Sequence, residues 1–197
     1  MIYIISRFFC WLVLKVFFGL KVKGAENIPR RGGFILAVNH VSYLDPAVAG
    51  VACSRLDLNY MAKKDLFSNP FMCWYMGKIQ AFAVKRGTGD ISAFKESFRR
   101  VKRGEGLLIF PEGTRQETGV LGKAEPGVGF LAAKLKVPVI PVYIKGTETI
   151  LPKHAQRLRF NPIYVCIGPQ VKIENYTNYE IVAENIMLGI KEAKNHV

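Results

Sequence analysis

A histidine and an aspartate five residues apart, His40 and Asp45, are the pair in this chain best suited to acid–base chemistry. The apolar run 34–38 before them predicts a buried strand, and Asp45 followed by Pro46 is typical of a helix start. A tight turn between strand and helix can fold the carboxylate back onto the imidazole. Such a contact fixes the tautomer and leaves the other ring nitrogen as a base. The spacing also fits a simpler interpretation, in which Asp45 only caps a helix and His40 only fills a turn.

A second polar segment follows the apolar run 107–110, and it comprises Pro111, Glu112, Gly113, Thr114 and Arg115. In open α/β sheets, ligands bind where strands end. Gly113 allows the backbone to approach a ligand closely, and Arg115 offers a fork of donors suited to phosphate. The segment therefore predicts an anion site, although a plain turn with a solvated arginine is the alternative.

Two further blocks carry weaker signals. Segment 77–87 places Arg86 at the end of a predicted strand. In segment 137–142, Pro141 interrupts an apolar run, which predicts a strand at a bulge or at the edge of a sheet.

Strands alternate with helices along the chain. Apolar runs predict strands at 34–38, 58–62, 81–85, 107–110, 137–144 and 164–167, and helical patterns occupy 46–54, 69–78, 90–103, 127–136 and 180–194. This alternation predicts an α/β fold, with a mostly parallel or mixed central sheet flanked by helices.

Residues 1–20 are almost wholly apolar. A helix of this length is about 30 Å long, enough to cross a bilayer core. Because Arg7 and Lys15 lie inside the run, we predict a membrane-associating helix that lies in one leaflet, followed by a single α/β domain over 21–197. A spanning helix with both cations snorkelling and an ordinary core helix are the alternatives. A signal peptide does not fit, since its charges would precede the apolar run.

The chain is strongly basic, with 28 Lys and Arg against 15 Asp and Glu, a net charge of +13. This excess favours an anionic partner such as nucleic acid, anionic lipid, a phosphorylated substrate or an acidic carrier protein. Helix 90–103 carries five of the cations, which indicate either a solvated surface or a contact with phosphates. The four cysteines have no metal or redox spacing and are predicted to be reduced packing residues of a cytosolic compartment.

The four blocks, in this order, resemble the glycerolipid acyltransferase family, particularly lysophosphatidate acyltransferases. The first block matches the family's His-x4-Asp motif, including Asn39, Ser42 and Pro46, and Phe110–Arg115 matches its Phe-Pro-Glu-Gly-Thr-Arg motif without a mismatch. The blocks around Arg86 and Pro141 match more loosely. Lys85 departs from the pattern, because many members carry an acidic or amide residue there. The resemblance covers about residues 20 to 170, and only one of the family's two N-terminal helices is evident.

The resemblance implies a fatty acyl transfer from acyl-CoA or acyl-carrier protein to the sn-2 hydroxyl of lysophosphatidate, giving phosphatidate. It assigns His40 as general base and Asp45 as the residue that orients it. It assigns the phosphate and glycerol contacts to Arg86, Glu112, Gly113, Thr114, Arg115 and Lys123, with Asn39, Ser42 and Pro141 supporting the motifs. A thioester is already activated, so neither an enzyme nucleophile nor a cofactor or metal is expected.

The implied partners are these substrates and a phospholipid surface at the cytoplasmic face of the cell membrane, with no nucleic acid. Another lysophospholipid or glycerol 3-phosphate is an alternative acceptor, and a non-catalytic peripheral membrane protein is an alternative of another class. A hydrolase with Ser42 as nucleophile lacks a G-x-S-x-G elbow. The glycine pattern 127–132 resembles a dinucleotide fingerprint but does not follow a predicted strand.

Overall fold

A seven-stranded sheet forms the centre of the protein. The computed structural model describes residues 1–85, 90–116, 120–150 and 159–196. The strands are β1 (Lys21–Lys23), β2 (Phe34–Val38), β3 (Leu58–Lys63), β4 (Ala81–Val84), β5 (Gly106–Ile109), β6 (Val139–Lys145) and β7 (Tyr164–Ile167). Their order is β1-β7-β6-β2-β5-β3-β4, and only the β6–β7 pair is antiparallel. The predicted α/β fold with a mostly parallel sheet is confirmed.

Helices cover both faces of the sheet. They are α1 (Ile2–Phe18), α2 (Asp45–Ala52), α3 (Pro70–Lys78), α4 (Ile91–Lys102), α5 (Pro126–Leu135), α6 (Thr147–Ile150) and α7 (Tyr179–Lys194), with short 3₁₀ helices at Ala25–Asn27 and Lys64–Phe67. The sequence patterns did not predict β1, α6 or the 3₁₀ helices, because elements of three or four residues are too short to show a period.

Two apolar layers flank the central strand β2, in which all five residues are buried. Side chains of α1 and α2 pack on one face of the sheet, and those of α4, α5 and α7 pack on the other. Helices α5 and α7 approach closely at Gly129, where a Cβ atom would lie 1.8 Å from the carbonyl oxygen of Tyr179. Helix α5 follows an irregular segment rather than a strand, so its glycines serve helix packing and the dinucleotide interpretation is not supported.

Helix α1 has a buried side and an exposed side. Tyr3, Leu14 and Phe18 face the core. The Arg7 guanidinium donates to the carbonyl oxygens of Val51, Cys53 and Arg55 at the end of α2. Arg7 therefore donates hydrogen bonds to carbonyl groups that have no partner within the helix, and its guanidinium does not extend toward a membrane surface. Among the described residues, no helix combines the length and the apolarity needed to span a membrane.

Pro141 lies in an interior strand, so its predicted place at an edge is wrong. Strand β6 pairs with β2, where Pro141 is opposite Ala37, and it also pairs with β7. The Pro141 carbonyl accepts a hydrogen bond from Gly168 at 2.8 Å, just beyond the end of β7. Proline has no backbone N–H, and in Pro141 this gap falls where the β6–β7 ladder ends. The sheet therefore loses only one hydrogen bond there.

Candidate active site

The carboxyl ends of β2 and β5 meet at one edge of the sheet, because these strands are parallel neighbours. His40 follows β2 and Asp45 is the first residue of α2. His40 Nδ1 lies 2.8 Å from Asp45 Oδ2. The predicted contact across the strand–helix turn is confirmed. His40 is 6% exposed and Asp45 is fully buried.

The Asp45 carboxylate is held on both oxygens. Oδ2 also accepts from the backbone N–H groups of Val41 and Ser42, each at 2.7 Å. Oδ1 accepts from the hydroxyl of Thr147 at 2.7 Å. The side chain makes no cap hydrogen bond to α2, whose N-cap position is Leu44. The carboxylate thus serves the turn and the imidazole, and the interpretation of Asp45 as a mere helix cap is wrong.

The imidazole is also fixed by packing. The His40 ring stacks on Phe110, with ring centroids 3.9 Å apart and planes inclined by 18°. Since Asp45 engages Nδ1, the proton on that nitrogen points at the carboxylate and Nε2 carries the free lone pair. The arrangement can take a proton from a hydroxyl placed at Nε2.

Glu112 joins the two polar segments. Its Oε2 accepts from the backbone N–H of His40 and its Oε1 from that of Gly122, each at 3.3 Å. The backbone N–H of Gln116 donates to the carbonyl of His40 at 2.8 Å, which adds a second link. Burial raises the pKa of Glu112 to about 7, and the nearby negative charge of Asp45 acts in the same direction.

Asn39 and Ser42 shape the first segment. The Asn39 side-chain amide donates to the carbonyl of Ile144 at 3.0 Å, and its carbonyl oxygen accepts from the N–H of Ile144 at 2.7 Å. This pair of bonds ties the end of β2 to β6. Ser42 is fully buried, and its Oγ accepts from the N–H of Leu44 at 3.3 Å.

The remaining predicted binding residues are more open. Gly113 has φ +66°, a left-handed conformation that favours glycine, and a Cβ there would lie 2.8 Å from Glu125 Cγ. The guanidinium of Arg115 lies over the Tyr43 ring, 3.5 Å from its centroid. Thr114 and Lys123 are exposed. Arg86 lies outside the described residues.

Three of the five basic side chains in segment 90–103 are paired. Arg99 and Arg100 both contact Glu96 at 2.6 Å, and Arg103 contacts Glu105 at 3.0 Å. Arg100 also donates to the carbonyl of Gln80 and is largely buried. These pairs favour a structural and surface role for the segment over a phosphate contact.

Several contacts of the site were not predicted from the sequence, among them the Thr147 hydroxyl on Asp45, the Gly122 N–H on Glu112, and the Tyr43 ring beneath Arg115. Thr147 is separated from Asp45 by 102 positions in the sequence. One signal was available, because Thr147 is a hydroxyl residue just after the buried run of β6, at a strand end like His40. Among the described residues, no group of three or more His, Cys, Asp or Glu side chains is placed to hold a metal ion.

Comparisons with known proteins identify the family of this chain. The family model described as "Acyltransferase" matches residues 19–145. The 1-acyl-sn-glycerol-3-phosphate acyltransferase of Bacillus subtilis is 36% identical over 145 residues, which cover 72% of this chain and 72% of that protein. The enzyme of the same name from Saccharomyces cerevisiae is 31% identical over 86% of this chain, which spans 57% of the yeast protein.

A solved structure has the same architecture. The crystal structure of the 1-acyl-sn-glycerophosphate (LPA) acyltransferase PlsC from Thermotoga maritima aligns with a TM-score of 0.81 and 25% identity, over 98% of this chain and 79% of that one. The matched family segment contains β2, α2, β5 and both polar segments of the site. This chain is a member of the acyltransferase family.

Proposed function

We propose that this protein transfers a fatty acyl group from an acyl thioester to the sn-2 hydroxyl of lysophosphatidate, giving phosphatidate for phospholipid biosynthesis. The observation that carries the proposal is the buried His40–Asp45 contact of 2.8 Å at the end of β2. The names of the relatives from Bacillus subtilis, Saccharomyces cerevisiae and Thermotoga maritima support lysophosphatidate as the acceptor.

The reaction needs one proton relay. His40 Nε2 takes the proton of the acceptor hydroxyl as its oxygen attacks the thioester carbonyl. Asp45 stabilises the resulting imidazolium. When the tetrahedral intermediate collapses, the C–S bond breaks and the departing thiolate takes the proton from Nε2, which returns the histidine to its starting state. A positioned base contributes roughly 10²–10⁴-fold to such a step, and orientation of the two substrates supplies much of the rest.

No covalent acyl-enzyme is part of this proposal. Ser42 is the hydroxyl nearest to His40 in the sequence, but it is fully buried and its backbone N–H donates to Asp45. Acyl-CoA or acyl-carrier protein supplies the activated acyl group, so the chemistry calls for no cofactor or metal.

The loop after β5 is proposed to hold the acceptor phosphate. Arg115 offers a bidentate fork that is preoriented by the Tyr43 ring. Thr114 and Lys123 are exposed, and the backbone at Gly113, which has no Cβ atom, can approach a phosphate closely. The pKa of about 7 leaves Glu112 partly neutral at physiological pH, which lessens its repulsion of the phosphate. The family motif adds Arg86 to this group.

The protein is further proposed to reside on the cytoplasmic face of the cell membrane as a peripheral or monotopic protein. The outer side of α1 exposes a continuous apolar stripe that includes Ile4, Ile5, Phe8, Phe9, Trp11 and Leu12. The basic surface of the chain favours anionic lipid. The acceptor can then keep its acyl chain in the bilayer while its headgroup reaches the site.

An assay with purified full-length protein tests the activity. Labelled acyl-CoA or acyl-carrier protein is supplied with lysophosphatidate, and in parallel with glycerol 3-phosphate or lysophosphatidylcholine, and the lipid products are identified. We expect phosphatidate from lysophosphatidate, and far less of it from His40→Ala. Preferred acylation of another acceptor would change the proposed acceptor, but the protein would remain an acyltransferase. Vesicle binding without transfer to any acceptor would indicate a non-catalytic membrane protein, and an acyl group trapped on Ser42 would indicate a hydrolase-like mechanism.

A further inference from the structure

Helix α3 is apolar in sequence, yet none of its residues is buried. Residues 71–76 are Phe, Met, Cys, Trp, Tyr and Met, and Phe71 and Trp74 are 66% and 50% exposed. Each other described helix of eight residues or more buries at least three residues. An exposed apolar patch of this kind marks an interaction site.

The helix is nevertheless anchored in place. Its N-cap residue Asn69 accepts a hydrogen bond from the N–H of Met72 at 2.9 Å. The hydroxyl of Tyr75 donates to Ser6 Oγ on α1 at 3.3 Å. Ser6 precedes Phe9 by three residues and is its neighbour on the surface of α1. The aromatic face of α3 therefore lies beside the exposed stripe of α1.

The chemistry of this surface suits a bilayer interface. The chain has two tryptophans, Trp11 on α1 and Trp74 on α3, and they are 45% and 50% exposed. Tryptophan favours the headgroup region, where one part of the indole is apolar and the N–H remains hydrated. Exposed Lys64 and Lys78 stand before and after the apolar run, as expected of side chains that reach toward anionic headgroups.

We propose that α3, together with the 3₁₀ helix before it, is a second bilayer-contacting element, and that it forms one lipid-facing surface with the outer side of α1. The partner is a phospholipid bilayer that contains anionic lipid. A second copy of this chain fits less well, because two molecules of net charge +13 repel each other. The inference rests on the proposed membrane location and adds a contact that the N-terminal helix alone does not supply.

The position of α3 relates this surface to the chemistry. The element follows β3, which is parallel to β5 and hence to β2, so its 3₁₀ helix begins at the same edge of the sheet as His40. A bilayer in contact with both α1 and α3 is therefore held near that edge. An acceptor lipid then has a short path from the headgroup region to the site.

Intrinsic fluorescence tests the contact directly. The variants Trp11→Phe and Trp74→Phe each retain a single tryptophan, and each is added to vesicles of phosphatidylcholine and phosphatidylglycerol with brominated acyl chains. We expect Trp74 to be quenched by bromine and its emission to shift to shorter wavelength, as for Trp11. Quenching of Trp11 without Trp74 would overturn the proposal and leave membrane attachment through α1. Quenching of neither would overturn the proposed membrane location as well.

Binding measurements give a second test. The pair Phe71→Gln and Trp74→Gln should weaken partitioning into these vesicles by about tenfold, because apolar surface can no longer enter the bilayer. The matched control pair is Ile181→Gln and Leu188→Gln on α7, exposed apolar residues on the opposite face of the sheet, and it should leave partitioning unchanged. Equal partitioning of both variants would overturn the proposal. So would a concentration-dependent dimer that the α3 substitutions abolish, since it would identify a second copy as the partner.

Discussion

The turn after β2 and the loop after β5 occupy the same edge of the sheet, but they are built differently. In the first, His40, Ser42 and Asp45 are buried, and the carboxylate accepts four hydrogen bonds. In the second, Thr114 is exposed, and Arg115 rests on a tyrosine ring and forms no ion pair with any described residue. Proton transfer needs a fixed geometry, whereas a phosphate must enter from water. The contrast suggests that the first segment acts on the rate of the chemical step and the second on acceptor binding.

The sharpest test of this contrast is His40→Ala. We expect kcat to fall toward the upper end of the range of roughly 10²–10⁴-fold that a general base contributes, because His40 is the one base bonded to Asp45 among the residues that the structure describes. His196→Ala, at the exposed C-terminal end, is the matched control and should keep full activity. Thermal unfolding and initial rates are the measurements. A folded His40→Ala protein with substantial activity would remove the basis for the general-base role.

Asp45→Asn separates charge from geometry. Three donors converge on Oδ2, so the amide oxygen should occupy that position and the amide NH₂ should face Thr147 Oγ1, which can accept. The tautomer of His40 is then kept and only the negative charge is lost. We expect kcat to fall by roughly 10²-fold with a small change in stability. Wild-type kcat in Asp45→Asn would show that the imidazolium needs no countercharge.

Arg115→Ala tests the second segment. We expect the KM for lysophosphatidate to rise by roughly 10–100-fold, the equivalent of one charged hydrogen-bonding group, while kcat changes little. Arg115→Lys should recover only part of the loss, since an ammonium replaces a planar fork and stacks less well on Tyr43. Arg31→Ala, an exposed arginine before β2 at the opposite edge of the sheet, is the control. A loss confined to the KM of the acyl donor would place Arg115 at the donor instead.

Thr147→Val keeps the shape of the side chain but leaves Asp45 Oδ1 without its donor. We expect stability to fall by about 1–3 kcal/mol and kcat to fall by roughly tenfold, because the carboxylate is less firmly oriented. Thr147→Ser, which restores the hydroxyl, should recover most of both losses. Denaturant unfolding and kcat measured on the same samples decide this, and an unchanged valine variant would mean that the two backbone donors suffice.

The smallest expected effect is the pH dependence that comes from Glu112. Its folded pKa of about 7 exceeds the ordinary value of 4.5, so the folded protein binds a proton more tightly than the unfolded chain does. The contribution of Glu112 to stability is therefore greatest below about pH 4.5 and falls as the pH rises to about 7. The stability of the wild type relative to Glu112→Gln should thus be higher at pH 5 than at pH 8, as measured by denaturant unfolding. If the difference in stability between the wild type and Glu112→Gln does not vary with pH, then burial in the fold does not disfavour the ionised form of Glu112.

Local patterns determined much of this protein. The buried run 34–38 and the following Asp-Pro pair specify a strand, a turn and a helix, so the sequence offered the His40–Asp45 contact as one of two interpretations of the spacing, and the folded turn decided between them. The alternation of strands and helices likewise predicted the sheet, because a continuous apolar run marks a strand covered on both faces.

The tertiary structure decided the contacts between residues that are far apart in the sequence. Thr147 reaches Asp45 only because β6 pairs with β2, and Arg7 closes the end of α2 only because α1 packs across it. Pro141 could be placed in an interior strand only once the end of β7 was known. Such contacts join positions many residues apart, and no local period encodes them. The sequence by itself determined which residues could do the chemistry, and the packing of the sheet determined which other groups hold them in place.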